Sequence, residues 1–246
     1  MPMSTAMPDF ESFVARLKSI EPRLGVSSDE LVALFWQAHP RFQFFKTLPW
    51  DARVLDIGAG SGGLAHWKNW GRPPRPDLEL YGVDLEIGEY SNLYRGWEAI
   101  DLDATLPAFA GIELSAFYTS HLIEHLAEPV RLLRWIGERA PPRAKIYLEW
   151  PNPNSMQLPK RSELSERGID VVISNFTDDL THRETPDLST CCRWLGEAGF
   201  VVLSSGTIDI GMVGEELFIR GKDPGERTMG YWSITGFSHY ITAVKL

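Results

Sequence analysis

The feature that most constrains this chain is the stretch Val54-Leu55-Asp56-Ile57-Gly58-Ala59-Gly60-Ser61-Gly62-Gly63. A short aliphatic run reads as a buried strand, and the glycines that follow read as a tight turn opening a helix. Glycine accepts positive φ and, having no Cβ, lets a ligand approach the backbone closely. Amide groups at the start of the next helix then face that ligand. In open parallel sheets, ligands bind beyond the carboxyl ends of the strands, where the strand order reverses.

The chain beyond this turn keeps the same rhythm. Arg53–Ile57, Leu78–Val83, Ala116–Tyr118, Lys145–Glu149 and Phe200–Leu203 read as strands, and residues 239–246 as a further one. Gly63–Trp70, Pro129–Ala140 and Asp187–Ala198 read as helices between them. Such alternation predicts an α/β fold, a largely parallel sheet with helices on both faces. Residues 151–186 fit the alternation poorly and read as an insertion, and residues 211–236 read as an irregular stretch with an extra hairpin.

Residues 1–50 have another character. Phe10, Phe13, Val14, Leu17 and Ile20 recur at helical spacing. Ser28-Asp29-Glu30 opens a second helix through Leu31, Leu34, Phe35 and Ala38, which His39-Pro40 is expected to end. The region is rich in aromatics and reads as a helical N-terminal cap, either packing or forming a lid. The expected organisation is therefore a cap over 1–50 and a main domain over 51–246 with its insertion at 151–186. Residues 1–8 read as a loose tail without signal-peptide character.

Composition narrows the partners. With 43% hydrophobic and 23% charged residues, the 246-residue chain is not a disordered one. A net charge of −9 argues against a general nucleic-acid binder. The two cysteines, Cys191 and Cys192, are adjacent, so no disulfide framework is expected and a reducing, cytoplasmic setting is the natural reading. No uncharged run approaches the ~18 residues of a membrane-spanning helix.

Two ligand classes compete for the glycine turn. Gly58, Gly60 and Gly63 satisfy the dinucleotide spacing, which alone is weak. Asp56 would stand close to a pyrophosphate, an unfavourable like-charge contact. It is better suited to a ligand that carries positive charge. Asp84, at the end of the next strand, suits the two hydroxyls of a ribose in either class.

Asp56 followed by Gly58, Gly60 and Gly62 resembles the first motif of the S-adenosylmethionine (SAM)-dependent methyltransferases with a Rossmann-like domain. Three further segments extend the resemblance in collinear order: Asp101 to Pro107, then Ser120-His121-Leu122-Ile123-Glu124-His125-Leu126, then Ala198-Gly199-Phe200. It covers roughly residues 53–203. It implies a Rossmann-like, seven-stranded, mostly parallel sheet flanked by helices, and SAM as cofactor. The residues implied to bind SAM are Asp56, Gly58, Ala59, Gly60, Gly62, Asp84, Leu85, Asp101, Leu102, Ser120 and His121, with Asp101 ahead of Asp103 for the adenine amino group.

Methyl transfer from a sulfonium rests heavily on proximity and orientation. A base is needed only where the acceptor loses a proton. His125, His182 and His121 are the candidates for catalysis. Glu124 with His125 offers a metal pair, but two ligands are too few and no metal is expected. Asn175 to Arg183 concentrates acids, a histidine and an arginine, and loosely resembles a stretch in bacterial methyltransferases of surface polysaccharides. Its competing reading is a capped loop in which Asp178 or Asp179 holds backbone amides. Trp150-Pro151-Asn152-Pro153-Asn154 is expected to line the same region. An Asn-Pro motif of amino-directed DNA methyltransferases follows the fourth strand, whereas this one follows the fifth, which discounts that reading.

The expected function is a SAM-dependent methyltransferase acting on a small polar acceptor, with a sugar or glycan intermediate favoured. An NAD(P)-dependent oxidoreductase and a non-catalytic SAM-binding module are the alternatives.

Overall fold

The computed structural model describes residues 9–246; the tail expected at 1–8 lies outside the described residues. The elements in chain order are α1 (Phe10–Lys18), α2 (Ser28–Ala38), α3 (Pro40–Thr47), β1 (Arg53–Ile57), α4 (Leu64–Trp70), β2 (Glu79–Asp84), β3 (Gly96–Ala99), β4 (Ala116–Ser120), α5 (Pro129–Arg139), β5 (Lys145–Pro151), α6 (Arg161–Glu166), α7 (Leu188–Glu197), β6 (Phe200–Thr207), α8 (Met212–Arg220), α9 (Pro224–Thr235) and β7 (Ser238–Lys245). The chain divides into two compact units. A sheet unit comprises residues 37–152, 183–207 and 238–246, and a helical unit comprises 1–36, 153–182 and 208–237. The cap expected at 1–50 and the insertion expected at 151–186 each straddle this division.

The sheet unit carries seven strands in the order β3-β2-β1-β4-β5-β7-β6. All pairings are parallel except those of β7, which runs antiparallel to both β5 and β6. β1 pairs with β2 on one side and β4 on the other, with Leu55 opposite Tyr81 and Phe117. The order therefore reverses at β1 and β4, and the glycine turn leaves the sheet at that point.

Both faces of the central strands are covered, which is why they read as continuous apolar runs. On one face Leu55, Ile57, Phe117, Ile146 and Leu148 pack with Leu133 and Ile136 of α5 and Leu195 of α7. On the other, Val54, Tyr118 and Tyr147 pack with Phe44 and Phe45 of α3 and Ala65 of α4. Gly137 lets α5 approach the end of α7; a Cβ there would stand 2.4 Å from the Ala198 carbonyl oxygen.

The seven-stranded, mostly parallel sheet matches the expectation, with three corrections. β3 was not foreseen; four residues, none of them fully buried, leave little pattern to read. His39-Pro40 starts a helix instead of only ending one. Proline sits in the first turn of α3, where its missing amide costs nothing, and His39 Nδ1 accepts from the Arg41 amide at 3.3 Å. Residues 211–236 form α8 and α9 and contain no hairpin. Their glycines weaken helical propensity but allow the two helices to pack closely: a Cβ on Gly230 would meet the Phe218 backbone at 2.2 Å, and one on Gly214 would meet Ser233 Cβ at 2.6 Å. Asp223 caps α9 by accepting from the Glu226 amide at 2.9 Å.

The helical unit has its own apolar clusters. Phe13, Val14 and Leu17 of α1 pack with Leu164, Val171, Phe218 and Tyr231, while Leu31 and Phe35 of α2 pack with Leu217. The buried Glu216 accepts from the backbone amides of Arg23 and Leu24 and from Arg220, which ties the α1–α2 connection to α8.

Candidate active site

At the carboxyl end of β1 the turn adopts positive φ at Gly58 (75°), Gly60 (55°) and Gly62 (83°). The amides of Gly58 and Ala59 donate to the Val83 carbonyl at 2.9 and 3.1 Å. Asp84, at the tip of β2, accepts from the Gly60 amide through Oδ2 and from the Leu85 amide through Oδ1, both at 2.7 Å. A Cβ on Gly60 would meet no atom within 4 Å, so its outer face is open. Leu85 beside it is 67% exposed, an apolar surface next to the ribose-binding candidate.

Asp56 lies beneath the turn, 2% exposed, and Tyr94 donates to its Oδ2 at 2.6 Å. Burial pushes the Asp56 carboxyl up to about 7, the Tyr94 hydrogen bond pulling the other way. A buried acid of this kind favours a nearby positive charge. After β3, Asp101 accepts the Asp103 amide at 2.9 Å and is otherwise exposed, whereas Leu102 is buried in the core. Asp103 is committed to structure: it accepts from the Ala127 amide at 2.9 Å and pairs with Arg183 at 3.0 Å. That division favours Asp101 over Asp103 as the group left for a ligand.

Ser120 ends β4, and His121 follows with φ of 53°, a left-handed conformation uncommon for a residue with a side chain. Its Nδ1 lies 3.1 Å from Glu124 Oε1, and its Nε2 lies 3.1 Å from Glu149 Oε1 and 3.3 Å from Ser238 Oγ. Burial opposes charge on the ring, but the hydrogen bonds to Glu124 and Glu149 outweigh it and raise His121 to about 9. Glu149, on β5, also accepts a two-pronged contact from Arg41 of α3, with Nε at 2.6 Å, and a hydrogen bond from Tyr147. Burial works against the Glu149 charge, yet Arg41 holds its carboxyl well below the usual range. Glu124 is fully buried, and its Oε2 has no hydrogen-bond partner among the described residues. The Glu124 carbonyl accepts from the Arg183 amide at 2.8 Å, which anchors the turn.

Glu124 and His125 bring one donor atom each within 4.8 Å of the other. Trp150 is fully buried and its indole donates to the Pro186 carbonyl at 2.8 Å, so it is a core residue and not a lining one.

His182 lies in the helical unit. It stacks on Phe176, with centroids 4.5 Å apart, and its Nδ1 faces the Phe176 carbonyl at 2.6 Å. A carbonyl accepts only, so Nδ1 donates to it, while Nε2 lies 3.9 Å from Asp179 Oδ2. Asp178 accepts from the amides of Arg161, Ser174 and Asn175, and Asp179 accepts from the amide and hydroxyl of Thr181. These contacts hold the loop together.

Sequence reasoning missed Arg41 and Glu149. The available signal was a lone acid in the otherwise apolar run Ile146 to Trp150, which a buried strand tolerates only with a partner.

A strand-order reversal at β1 and β4, an open glycine turn and an acid at the tip of β2 are the features of a nucleoside-binding α/β enzyme. A family model described as a methyltransferase domain matches residues 30–205, well over half of the chain. The chain belongs to this family and is a SAM-dependent methyltransferase of the Rossmann-like class. No match is found among curated proteins. Among solved structures, a SAM-dependent methyltransferase from Mesorhizobium loti aligns at 16% identity and a TM-score of 0.53, covering 84% of this chain and 96% of its own. One from Archaeoglobus fulgidus aligns at 20% identity and 0.51, covering 97% of this chain and 100% of its own. The plantazolicin methyltransferase BpumL, in complex with a monoazolic desmethylPZN analog and S-adenosylhomocysteine (SAH), aligns at 16% and 0.53, covering 87% and 82%. These likenesses concern the fold. Among the described residues, no helix is long and apolar enough to cross a membrane.

Proposed function

We propose that this enzyme methylates a small, hydroxyl-rich acceptor, a sugar or glycan intermediate, with SAM as donor. The observation that carries the reading is Glu124 Oε2, a buried carboxylate oxygen at the exit of the central strand β4 with no hydrogen-bond partner among the described residues. Left so, it would incur a desolvation penalty of about 1–3 kcal/mol or more, which a donor on a polar acceptor removes. The saccharide preference rests on the resemblance of residues 175–183 and is the finer part of the proposal.

The bound cofactor supplies a methyl group already activated by its sulfonium. The backbone of Gly58, Ala59, Gly60 and Gly62 would hold the cofactor's methionyl portion, with Asp56 beneath it as the negative charge. Asp84 accepts from the ribose hydroxyls through the lone pairs its two amide contacts leave. Leu85 would flank the adenine, with the backbone of Leu102 beside it, and Asp101 would accept from its amino group. Ser120 and His121 border the transferring methyl. His125 and His182 are the proposed proton acceptors for an acceptor hydroxyl, His182 through Nε2. With an acceptor hydroxyl in place, its proton would pass to His125 or to His182 Nε2 as the methyl group is transferred.

The test is transfer of label from methyl-tritiated SAM to a panel of UDP-, GDP- and dTDP-sugars, beside calorimetric titration with SAH. Labelled sugar with SAH bound is the expected result. SAH binding with label transferred only to amines or peptides would overturn the saccharide reading.

A further inference from the structure

The buried charges at the carboxyl ends of β4 and β5 form one continuous chain: Arg41, Glu149, His121, Glu124. Each link stands on geometry. Arg41 reaches Glu149 with two nitrogens, and Glu149 also receives the Tyr147 hydroxyl. The His121 ring lies between the two carboxylates, at 3.1 Å from each. A neutral imidazole has one donor and one lone pair, so it would point that lone pair at a carboxylate. Between two carboxylates, only the doubly protonated ring donates to both.

The charges then balance: two positive groups, two negative. An isolated buried charge is costly, while a paired and hydrogen-bonded set is tolerated. The backbone adds a second observation. His121 holds φ of 53°, a conformation that persists only where surroundings over-determine it. The Glu149, Ser238 and Glu124 contacts all fall on this one residue, at the first position after β4.

We propose that His121 is a positioning residue: as a fixed imidazolium it bridges Glu149 to Glu124, and so sets the β4 exit turn and the open oxygen of Glu124 in place for methyl transfer. This rests on the reading that the β4 exit borders the transferring methyl. The role differs from the base expected from the sequence, because neither ring nitrogen offers a lone pair in this arrangement. The groups facing His121 are Glu124 on its own turn, Tyr147 and Glu149 on β5, Ser238 on β7, and Arg41 with its neighbour His39 from the start of α3. Burial keeps His39 neutral, lowering it to about 3, so it adds no competing cation. The raised His121 value agrees with the geometry.

The experiment uses the full chain with 15N-labelled histidine, alone and with SAH. At about pH 7.5 both His121 ring nitrogens are expected to report as protonated, with the proton lost only near pH 9. Glu149→Gln is expected to lower that proton affinity about tenfold or more, one pKa unit. Where Glu149→Gln does not fold, the charge-conserving double variant Arg41→Gln with Glu149→Gln replaces it. In the cofactor-free protein, His121→Asn is expected to move the amide signals of residues 122–126. A singly protonated ring at about pH 7.5 overturns the proposal, and so does a folded His121→Asn whose exit-turn signals stay in place. Failure of the parent to bind SAH would instead overturn the cofactor assignment, leaving the ring titration of the free protein to decide the positioning role.

Discussion

The amide of Gly60 donates to Asp84 Oδ2 at 2.7 Å, joining the glycine turn after β1 to the tip of β2. One carboxylate thus shapes the loop and still has acceptor capacity for a ligand, since each oxygen carries two lone pairs. Asp84→Ala is expected to weaken SAH binding about 10- to 100-fold, the loss of hydrogen bonds to a charged group worth about 1.5–3 kcal/mol. Calorimetry checks it, and a loss below about threefold would remove Asp84 from the cofactor site.

Gly60 and Gly82 should respond to alanine in opposite ways. At Gly60 the added Cβ meets no protein atom within 4 Å, and the positive φ costs about 1–2 kcal/mol, so thermal stability falls modestly while SAH affinity falls sharply. At Gly82 the Cβ would stand 2.4 Å from the Trp97 ring, so overpacking of about 1–3 kcal/mol lowers the melting temperature. Paired melting curves and titrations separate the two; equal effects on affinity would contradict the assignment of Gly60.

The raised Asp56 carboxyl has a signed consequence. Its folded value of about 7 lies above the ordinary value of 3.8, so the folded state holds the proton more tightly than the unfolded one. That contribution to stability is fully present below about pH 4 and is lost as pH rises through about 7. Asp56→Asn removes it, so the melting temperature of the variant should fall less between about pH 5 and 8 than that of the parent. If Asp56 neighbours the cationic part of SAM, binding below about pH 7 also releases a proton, detectable as a buffer-dependent heat. Parallel melting profiles would contradict the buried, protonated acid.

Arg41 and Glu149 form a buried pair, and breaking one partner strands the other. Arg41→Met is expected to destabilise the protein by about 3–5 kcal/mol. Arg41→Met with Glu149→Gln should recover much of that loss, because neither charge is left alone. Chemical denaturation of the parent, both single variants and the double variant gives the coupling directly. Additive losses would show that the two side chains do not act as a pair.

Much of the sheet unit is legible in the residues. β1, β4 and β5 are apolar on both faces because helices cover both sides, and Gly58, Gly60 and Gly62 mark where the chain must turn. Asp84 is readable because an acid ends an apolar strand. What escapes is what tertiary packing decides. Gly214 and Gly230 argue locally against helix, and only the close crossing of α8 and α9 explains them. Arg41 reads as a surface residue of a polar helix start; its partner is 108 positions away. The roles of Asp178 and Asp179 escape for a related reason, since a cap and a ligand contact use the same side chain at the same spacing.

The antiparallel β7 sits between β5 and β6, although it is made after both. Until residues 238–245 leave the ribosome, β5 has an open edge and β6 has no partner at all. β6 is largely exposed along its length, with Val201 and Leu203 outward. A nascent chain stalled before Ser238 therefore presents unpaired edges on both β5 and β6, the form of surface that chaperones and neighbouring chains capture. β7, made after both strands it joins, closes the gap between β5 and β6.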